Sequence, residues 1–349
     1  MKKVLIVNRG CCDNLGDQAI NIAMKKFITS NYNVSTSFSD YTSLSKEPKN
    51  IDLNVSNITL KMNLRELLKK FLPLKLIWLI RNYSRLNRII KDNVDYIVIG
   101  GGQLILSNST FDIAAATWVY LAKSYNIPII FCSVGAGTNF NFINKTLFSY
   151  ALRNANSICV RDETSRATIR NEFNIDSYVS GDIVFTESII LDNVDNLTLL
   201  GIPSLSVYNT YNTPISREEY YSNWLDFLEK NNVDINDCSL FYTTSDDYIE
   251  SVGFKSYLHE KNICHIDILF AEGFVGLELL MRKASTVISG RMHGLIVALN
   301  FNCDILVYPI SGKLIVFKKT VEDSTFDLIE FKSNVIKRTE IFLDKLLVK

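Results

Sequence analysis

The feature that most restricts how this chain can fold is a repeated alternation. Short apolar, β-branched runs at 4–7, 96–99, 129–133 and 157–160 are each followed by a longer stretch with helical spacing, at 18–30, 111–124, 143–155 and 163–172. Strands separated by whole helices cannot pair as hairpins. They must lie parallel, with the helices crossing over the faces of the sheet. Glycine follows the strand ends again and again, at Gly100, Gly101 and Gly102, at Gly135 and Gly137, and at Gly181. Tight strand-to-helix turns need glycine with or without a ligand, and none of these clusters has the spacing of a dinucleotide fingerprint. Their shared position still matters, because open α/β sheets bind ligands just beyond the carboxyl ends of their strands.

After Val184 the pattern loosens through 193–196, and a second series begins. Its predicted strands are 205–207, 239–243, 263–266, the run before Gly290, and 305–307; its predicted helices lie near 217–229, near 274–282 and directly after Gly290. A last helical pattern covers 333–347. The expected architecture is α/β, two Rossmann-like doubly wound domains facing a cleft. The first domain takes residues 1–190, the second 191–330, and the terminal helix within 331–349 is placed to cross back to the first.

Residues 285–300 set two ionisable side chains where a strand turns into a helix. Val287 and Ile288 end a buried strand, Gly290 allows a tight turn, and 295–299 open an apolar helix, so Arg291 and His293 sit at the helix entrance. Unpaired N–H groups and the positive end of the helix dipole attract anions there, and an arginine offers a fork for phosphate or carboxylate. The alternative is an arginine capping a carbonyl and a histidine satisfied within the core.

Thirty-seven basic and thirty-seven acidic residues cancel, which argues against a nucleic-acid-binding protein. The balance hides one local excess: 61–91 holds nine basic residues and a single acid, Glu66. Its leucines and isoleucines recur at helical spacing with Trp78 and Tyr83, interrupted at Pro73. It reads either as amphipathic helices suited to an anionic membrane surface or as ordinary helices with a core stripe and a solvated face. Exposure of Phe71, Trp78 and Leu79 would favour the membrane.

Seven scattered cysteines without a CxxC pair point to a reducing compartment and to loop or core filling, including the adjacent Cys11 and Cys12. The opening apolar run is too short for a signal peptide or membrane span, so a cytoplasmic location is expected. His265 and Asp267 stand two apart on a predicted strand without a further histidine, which gives no metal site, and neither a Walker loop nor an HExxH motif occurs.

Taken in order, several segments resemble the polysaccharide pyruvyl transferase family, enzymes similar in fold to two-domain GT-B glycosyltransferases. They are AsnArgGlyCysCysAspAsnLeuGlyAspGlnAlaIle at 8–20, IleGlyGlyGlyGln at 99–103, SerValGlyAlaGly at 133–137, ValArgAspGluThrSer at 160–165, SerGlyAspIleVal at 180–184 and GlyArgMetHisGly at 290–294. The ordered set carries the likeness across most of the chain, and the last two segments are the most specific. Cys11 and Cys12 depart from the family's more polar opening loop.

The resemblance implies transfer of the enolpyruvyl group of phosphoenolpyruvate onto two hydroxyls of a sugar, giving a cyclic pyruvate ketal and phosphate, with the acceptor a polysaccharide or its lipid-linked or oligosaccharide precursor. No cofactor beyond the donor substrate is implied. Such a donor carries a phosphate and a carboxylate, so convergent cations are required. Arg291, with Gly290, supplies one; the resemblance adds Arg161, and Lys313 as a basic group after the strand at 305–307. His293 matches the family's histidine and is the candidate acid that protonates carbon 3. Asp17 is the candidate base, with an N-cap of the helix at 18–30 as its plainer reading. Asp13, Asn14, Gly101 and Gly102 are expected on the acceptor side, while Asp182 reads as structural. A GT-B glycosyltransferase with a nucleotide-sugar donor, and a non-catalytic membrane-associated scaffold of polysaccharide assembly, are the competing readings.

Overall fold

The computed structural model describes residues 1–43, 74–92, 94–107, 110–191 and 195–347. Among the described residues, ten strands form two wholly parallel sheets. The first contains β1 (Lys2–Asn8), β2 (Val34–Asp40), β3 (Tyr96–Gly100), β4 (Ile129–Val134), β5 (Ser157–Val160) and β6 (Tyr178–Val179), in the order β2-β1-β3-β4-β5-β6. The second contains β7 (Leu197–Gly201), β8 (Cys238–Phe241), β9 (Ala284–Ser289) and β10 (Asp304–Val307), in the order β10-β9-β7-β8. The described helices are α1 (Leu15–Asn31), α2 (Leu74–Lys91), α3 (Phe111–Ser124), α4 (Phe142–Asn154), α5 (Glu163–Phe173), α6 (Leu205–Tyr211), α7 (Arg217–Lys230), α8 (Ser245–Glu260), α9 (Gly273–Lys283), α10 (Met292–Asn300), α11 (Gly312–Val321) and α12 (Leu328–Leu347). Helices cover both faces of the first sheet, and its central strand β4 is buried along its whole length, as a parallel sheet between two helical layers requires.

The two halves share a core. Leu15, Ala19, Ile20 and Ala23 of α1 pack into the same apolar cluster as Leu295, Ile296 and Leu299 of α10 and Leu277 and Met281 of α9. Each buried leucine or isoleucine contributes about 1.5–3 kcal/mol, so α1 joins the halves by packing as well as by hydrogen bonds. Helix α12 belongs to the end of the chain yet packs on the first half: Phe342 stacks on Tyr178, with ring centroids 6.1 Å apart, and Phe331 meets Phe185 edge-on at 4.9 Å.

Several expectations need correction. Residues 205–207 begin a helix, because the strand of that region lies earlier, at β7, directly after the loosened stretch. Residues 263–266 form no strand; only Ile268 bridges, to Leu240. Strand β2, ValSerThrSerPheSerAsp, escapes a reading based on apolar runs because it is an edge strand with a largely half-buried, polar-rich sequence. Trp78 is buried and its Nε1 donates to the Thr42 carbonyl at 2.8 Å, so this aromatic anchors α2 to the core rather than offering itself to a membrane. Phe71 and the rest of 61–73 lie outside the described residues. No described helix is long and apolar enough to cross a membrane.

Candidate active site

The carboxyl ends of both sheets face one another, and the polar residues gathered there come from both halves. Helix α1 starts at Leu15 with Asn14 as its cap, the Asn14 side chain accepting from the Gly16 amide at 2.9 Å. Asp17 is therefore not the cap, contrary to its plainer reading. It stands in the first turn, where its Oδ2 accepts from the Cys12 thiol at 3.2 Å. Burial, and then Asp17, push the Cys12 pKa far up, so this cysteine remains a protonated donor. Asp13 turns to the second half instead of the cleft, its Oδ2 accepting from Ser245 Oγ at 2.7 Å. The Leu15 amide makes a parallel tie to the Thr243 carbonyl at 2.9 Å.

Gly101 and Gly102 both have φ +73°, a left-handed turn that glycine adopts without steric cost. At Gly101 a Cβ would lie 2.0 Å from Ile20 Cγ2, which explains the glycine by helix packing. The position of a Cβ on Gly102 is 3.5 Å from Asp17 Oδ1. The next residue, Gln103, accepts from Lys313 Nζ at 3.2 Å, another bond between the halves.

Lys313 lies in the first turn of α11 and is half-buried between the two halves. Burial first, then the charges of Arg161 and Arg291, lower its pKa to about 8, against a smaller opposing pull from Asp17 and Asp162.

Arg161 ends β5. Its Nε lies 3.2 Å from Asp162, the cap of α5, and its Nη1 3.4 Å from Asp182. Arg291 follows Gly290, where a Cβ would meet Pro203 Cγ at 2.7 Å, and is itself the cap residue of α10. It neither caps a carbonyl through its side chain nor holds its fork open for a ligand. Nε and Nη2 bind the two oxygens of buried Asp247 at 2.9 and 2.5 Å. Burial opposes its charge, but Asp247 outweighs burial and raises the Arg291 pKa. A bidentate pair of this kind is a fixed cationic corner.

His293 lies in the first turn of α10 and reaches across to the first half, with Nε2 3.2 Å from Asp182 Oδ2. Asp182 is buried in the turn at Ile183–Thr186, which it caps by accepting from the Val184 amide at 3.2 Å. Burial alone would raise its pKa, but His293 and then Arg161 hold it down to about 2. The structural reading of Asp182 is therefore incomplete: one carboxylate links the candidate acid to a candidate donor-binding arginine.

Two cavities flank Lys313 and Met292. The smaller, of about 100 Å³, is lined by Asn14, Gly16, Thr243, Arg291, His293 and Ser311, among others. The larger, of about 370 Å³, is lined by Arg161, Asp182, Phe317, Phe331, Val335 and Arg338, among others. The two arginines thus lie on opposite sides of Lys313 instead of converging in one cavity. Asp13, Asp17, Gly101 and Gly102 line neither. His265 and Asp267 are remote from this cluster: His265 lies against His259, with ring centroids 4.9 Å apart, and Asp267 pairs with Lys255.

A family model described as polysaccharide pyruvyl transferase matches residues 14–309. Among curated proteins, none matches the sequence. Solved structures with the same fold include the UDP-GlcNAc 2-epimerase of Methanocaldococcus jannaschii, 12% identical, covering 99% of this chain and 94% of that one with a TM-score of 0.53. An alpha-glucosyltransferase in complex with UDP is 8% identical, covering 100% of this chain and 98% of that one with a TM-score of 0.50. At such identities the likeness is one of architecture, the two-domain GT-B arrangement.

Proposed function

This chain belongs to the polysaccharide pyruvyl transferase family, and we propose that it moves the enolpyruvyl group of phosphoenolpyruvate onto two hydroxyls of one sugar in a polysaccharide or its lipid-linked or oligosaccharide precursor. The observation that carries this reading is the small cavity in which His293, Lys313 and the first turn of α10 meet. At about 100 Å³ it is well below the roughly 300 Å³ at which pockets for drug-sized ligands begin; it suits the phosphate end of a three-carbon donor whose carboxylate reaches past Lys313 into the larger cavity, and it is too small for a nucleotide sugar.

In this reading the donor's phosphate lies at the entrance of α10, with Lys313 beside it and Arg291 as a fixed positive corner. Arg161, on the far side of Lys313, takes the carboxylate. His293 gives a proton to carbon 3 and carbon 2 becomes electrophilic. One sugar hydroxyl adds there, phosphate leaves with its bridging oxygen, and the second hydroxyl closes the ketal ring. Both hydroxyl protons are released, one of them to restore His293. Asp17, half-buried in the first turn of α1 beside Gly102 and outside both cavities, is the base for the first hydroxyl as the sugar approaches along that edge of the site. Asn14 lines the cavity and is the acceptor contact retained from the first half. The larger cavity gives the sugar its approach. Membrane contact, in the same proposal, falls to Leu76, Ile80 and Tyr83, exposed on α2 with Arg81. The working location is the cytoplasmic side.

The test is incubation of the purified chain with phosphoenolpyruvate and a set of lipid-linked and free oligosaccharides, following phosphate release and the mass of the product. Gain of one pyruvate ketal per phosphate supports the reading. Stabilisation by UDP-, GDP- or CMP-sugars, with no effect of phosphoenolpyruvate on melting, sinks it in favour of a glycosyltransferase.

A further inference from the structure

We propose that Asp182 is a positioning residue that orients His293 from the opposite half of the molecule, so that the proton donor is complete only when the two halves are together. This rests on the reading of His293 as the acid.

Asp182 has more contacts than its place in the chain demands. Capping the turn at Ile183–Thr186 uses Oδ1 alone, through the Val184 amide. Oδ2 faces the site, where Arg161 Nη1 at 3.4 Å and His293 Nε2 at 3.2 Å converge on that single oxygen. Two cationic or hydrogen-bonding side chains on one oxygen, and a backbone amide on the other, leave the carboxylate little freedom to rotate.

Its backbone is held as firmly. Gly181 has φ +118°, a conformation closed to side-chain-bearing residues, and a Cβ there would lie 2.5 Å from Val335 Cγ2 of α12. The terminal helix is thus seated on the residue before Asp182, and Phe331 of the same helix packs on Phe185 just after it. The opposite side of the imidazole is also shaped by the first half. A Cβ on Gly16 would stand 2.7 Å from His293 Cβ and 3.1 Å from Nδ1. His293 is carried by α10 of the second half, yet both groups that define its ring position, Asp182 and Gly16, belong to the first.

With Nε2 facing an ionised carboxylate, Nε2–H donates to Asp182, and Nδ1 is the nitrogen left beside Gly16 at the small cavity, so the proton given to carbon 3 is a second one, carried on Nδ1. An aspartate serving only the turn would leave the histidine's tautomer unaffected by its charge.

Asp182→Asn separates the two roles, since an asparagine oxygen still accepts from the Val184 amide. The expected result is a fall in kcat of about tenfold or more with KM for phosphoenolpyruvate changed less than about threefold. Imidazole 15N NMR of the full chain, with the His293 signals identified by their loss in His293→Gln, is expected to report Nε2–H in the wild type and a mixture of tautomers in Asp182→Asn. Gly16→Ala, which leaves Asp182 untouched and displaces the ring, is expected to lower kcat by a comparable factor. A His293 tautomer unchanged by Asp182→Asn overturns the proposal, as does an unchanged kcat. The NMR result is independent of turnover, so absence of pyruvyl transfer in the wild type would reject the proposed reaction while leaving the positioning claim to be decided on its own measurement.

Discussion

Arg161 and Arg291 occupy matching corners of the two sheets, each between a buried parallel strand and the helix that follows it, yet they are held in different ways. Arg291 grips both oxygens of Asp247 at 2.9 and 2.5 Å, and Asp247 also accepts from the Ser204 amide and from Thr243 Oγ1. Arg161 divides its donors between Asp162 at 3.2 Å and Asp182 at 3.4 Å, and the second of these carboxylates is shared with His293. A bidentate buried pair is part of the scaffold. Longer, divided contacts can be exchanged for an incoming anion. One corner therefore fixes the geometry of the second half, and the other couples the first half to the reacting group.

The largest expected effect concerns the residue that joins the corners. His293→Ala should reduce phosphate release by about a thousandfold, within the range for loss of a general acid, with an unchanged melting temperature. Wild-type-like turnover would dissolve the link between Arg161 and the chemistry. Arg161→Gln should lower kcat/KM for phosphoenolpyruvate by about a hundredfold, with only a small loss of stability because Asp182 keeps His293 and Val184 as partners.

Arg291→Gln inverts that pattern. It leaves Asp247 buried without its cation and should cost about 3 kcal/mol in denaturant unfolding, more than Arg161→Gln does. Equal stability losses at the two positions would break the distinction between scaffold and exchangeable arginine.

The smallest effect is a pH dependence set between the corners. Lys313 is held to a pKa of about 8, chiefly by burial and then by both arginines. It loses its charge as pH rises through 8, so the stabilisation that phosphoenolpyruvate confers on melting should weaken severalfold between about pH 7 and 9. The folded pKa lies below the unfolded one, near 10.4. The unfolded chain then binds the extra proton between pH 8 and that value, and this group's contribution to stability rises with pH across the window. Lys313→Met should remove both trends; a pH-independent donor effect in the wild type would mean that Lys313 does not face the anion.

The fold was largely legible because periodicity is a local property. Runs at 96–99, 129–133 and 157–160 appear as β3, β4 and β5 within a residue or two. Strand β2 was not legible, since an edge strand buries too little to demand an apolar run. Residues 205–207 and 263–266 have the apolar content of strands but occupy a helix and an irregular segment, a choice made by the packing around them.

At the site, Arg291 and His293 could be placed at a helix entrance from Gly290 and the apolar run after it, and α10 begins at Met292 as that pattern requires. The role of Asp13 could not be anticipated: its partner Ser245 is 232 positions away. Nor could that of Asp182, whose neighbours in the chain suggest only a turn. The one local signal that marks it is Gly181, but a glycine before an aspartate is common in turns without a ligand.

By itself, then, the sequence determined the alternation of strand and helix, the parallel sheets, the two halves and the cationic residues at the strand ends, because each follows from the spacing of neighbouring residues. Only the tertiary structure decided that Arg291 is bound to Asp247, 44 positions earlier, and that His293 meets Asp182, 111 positions earlier. Those pairings depend on how α1 and α12 pack the halves together, and burial makes them consequential: a charge excluded from water must find a partner, and its partner is whichever group the fold brings within reach.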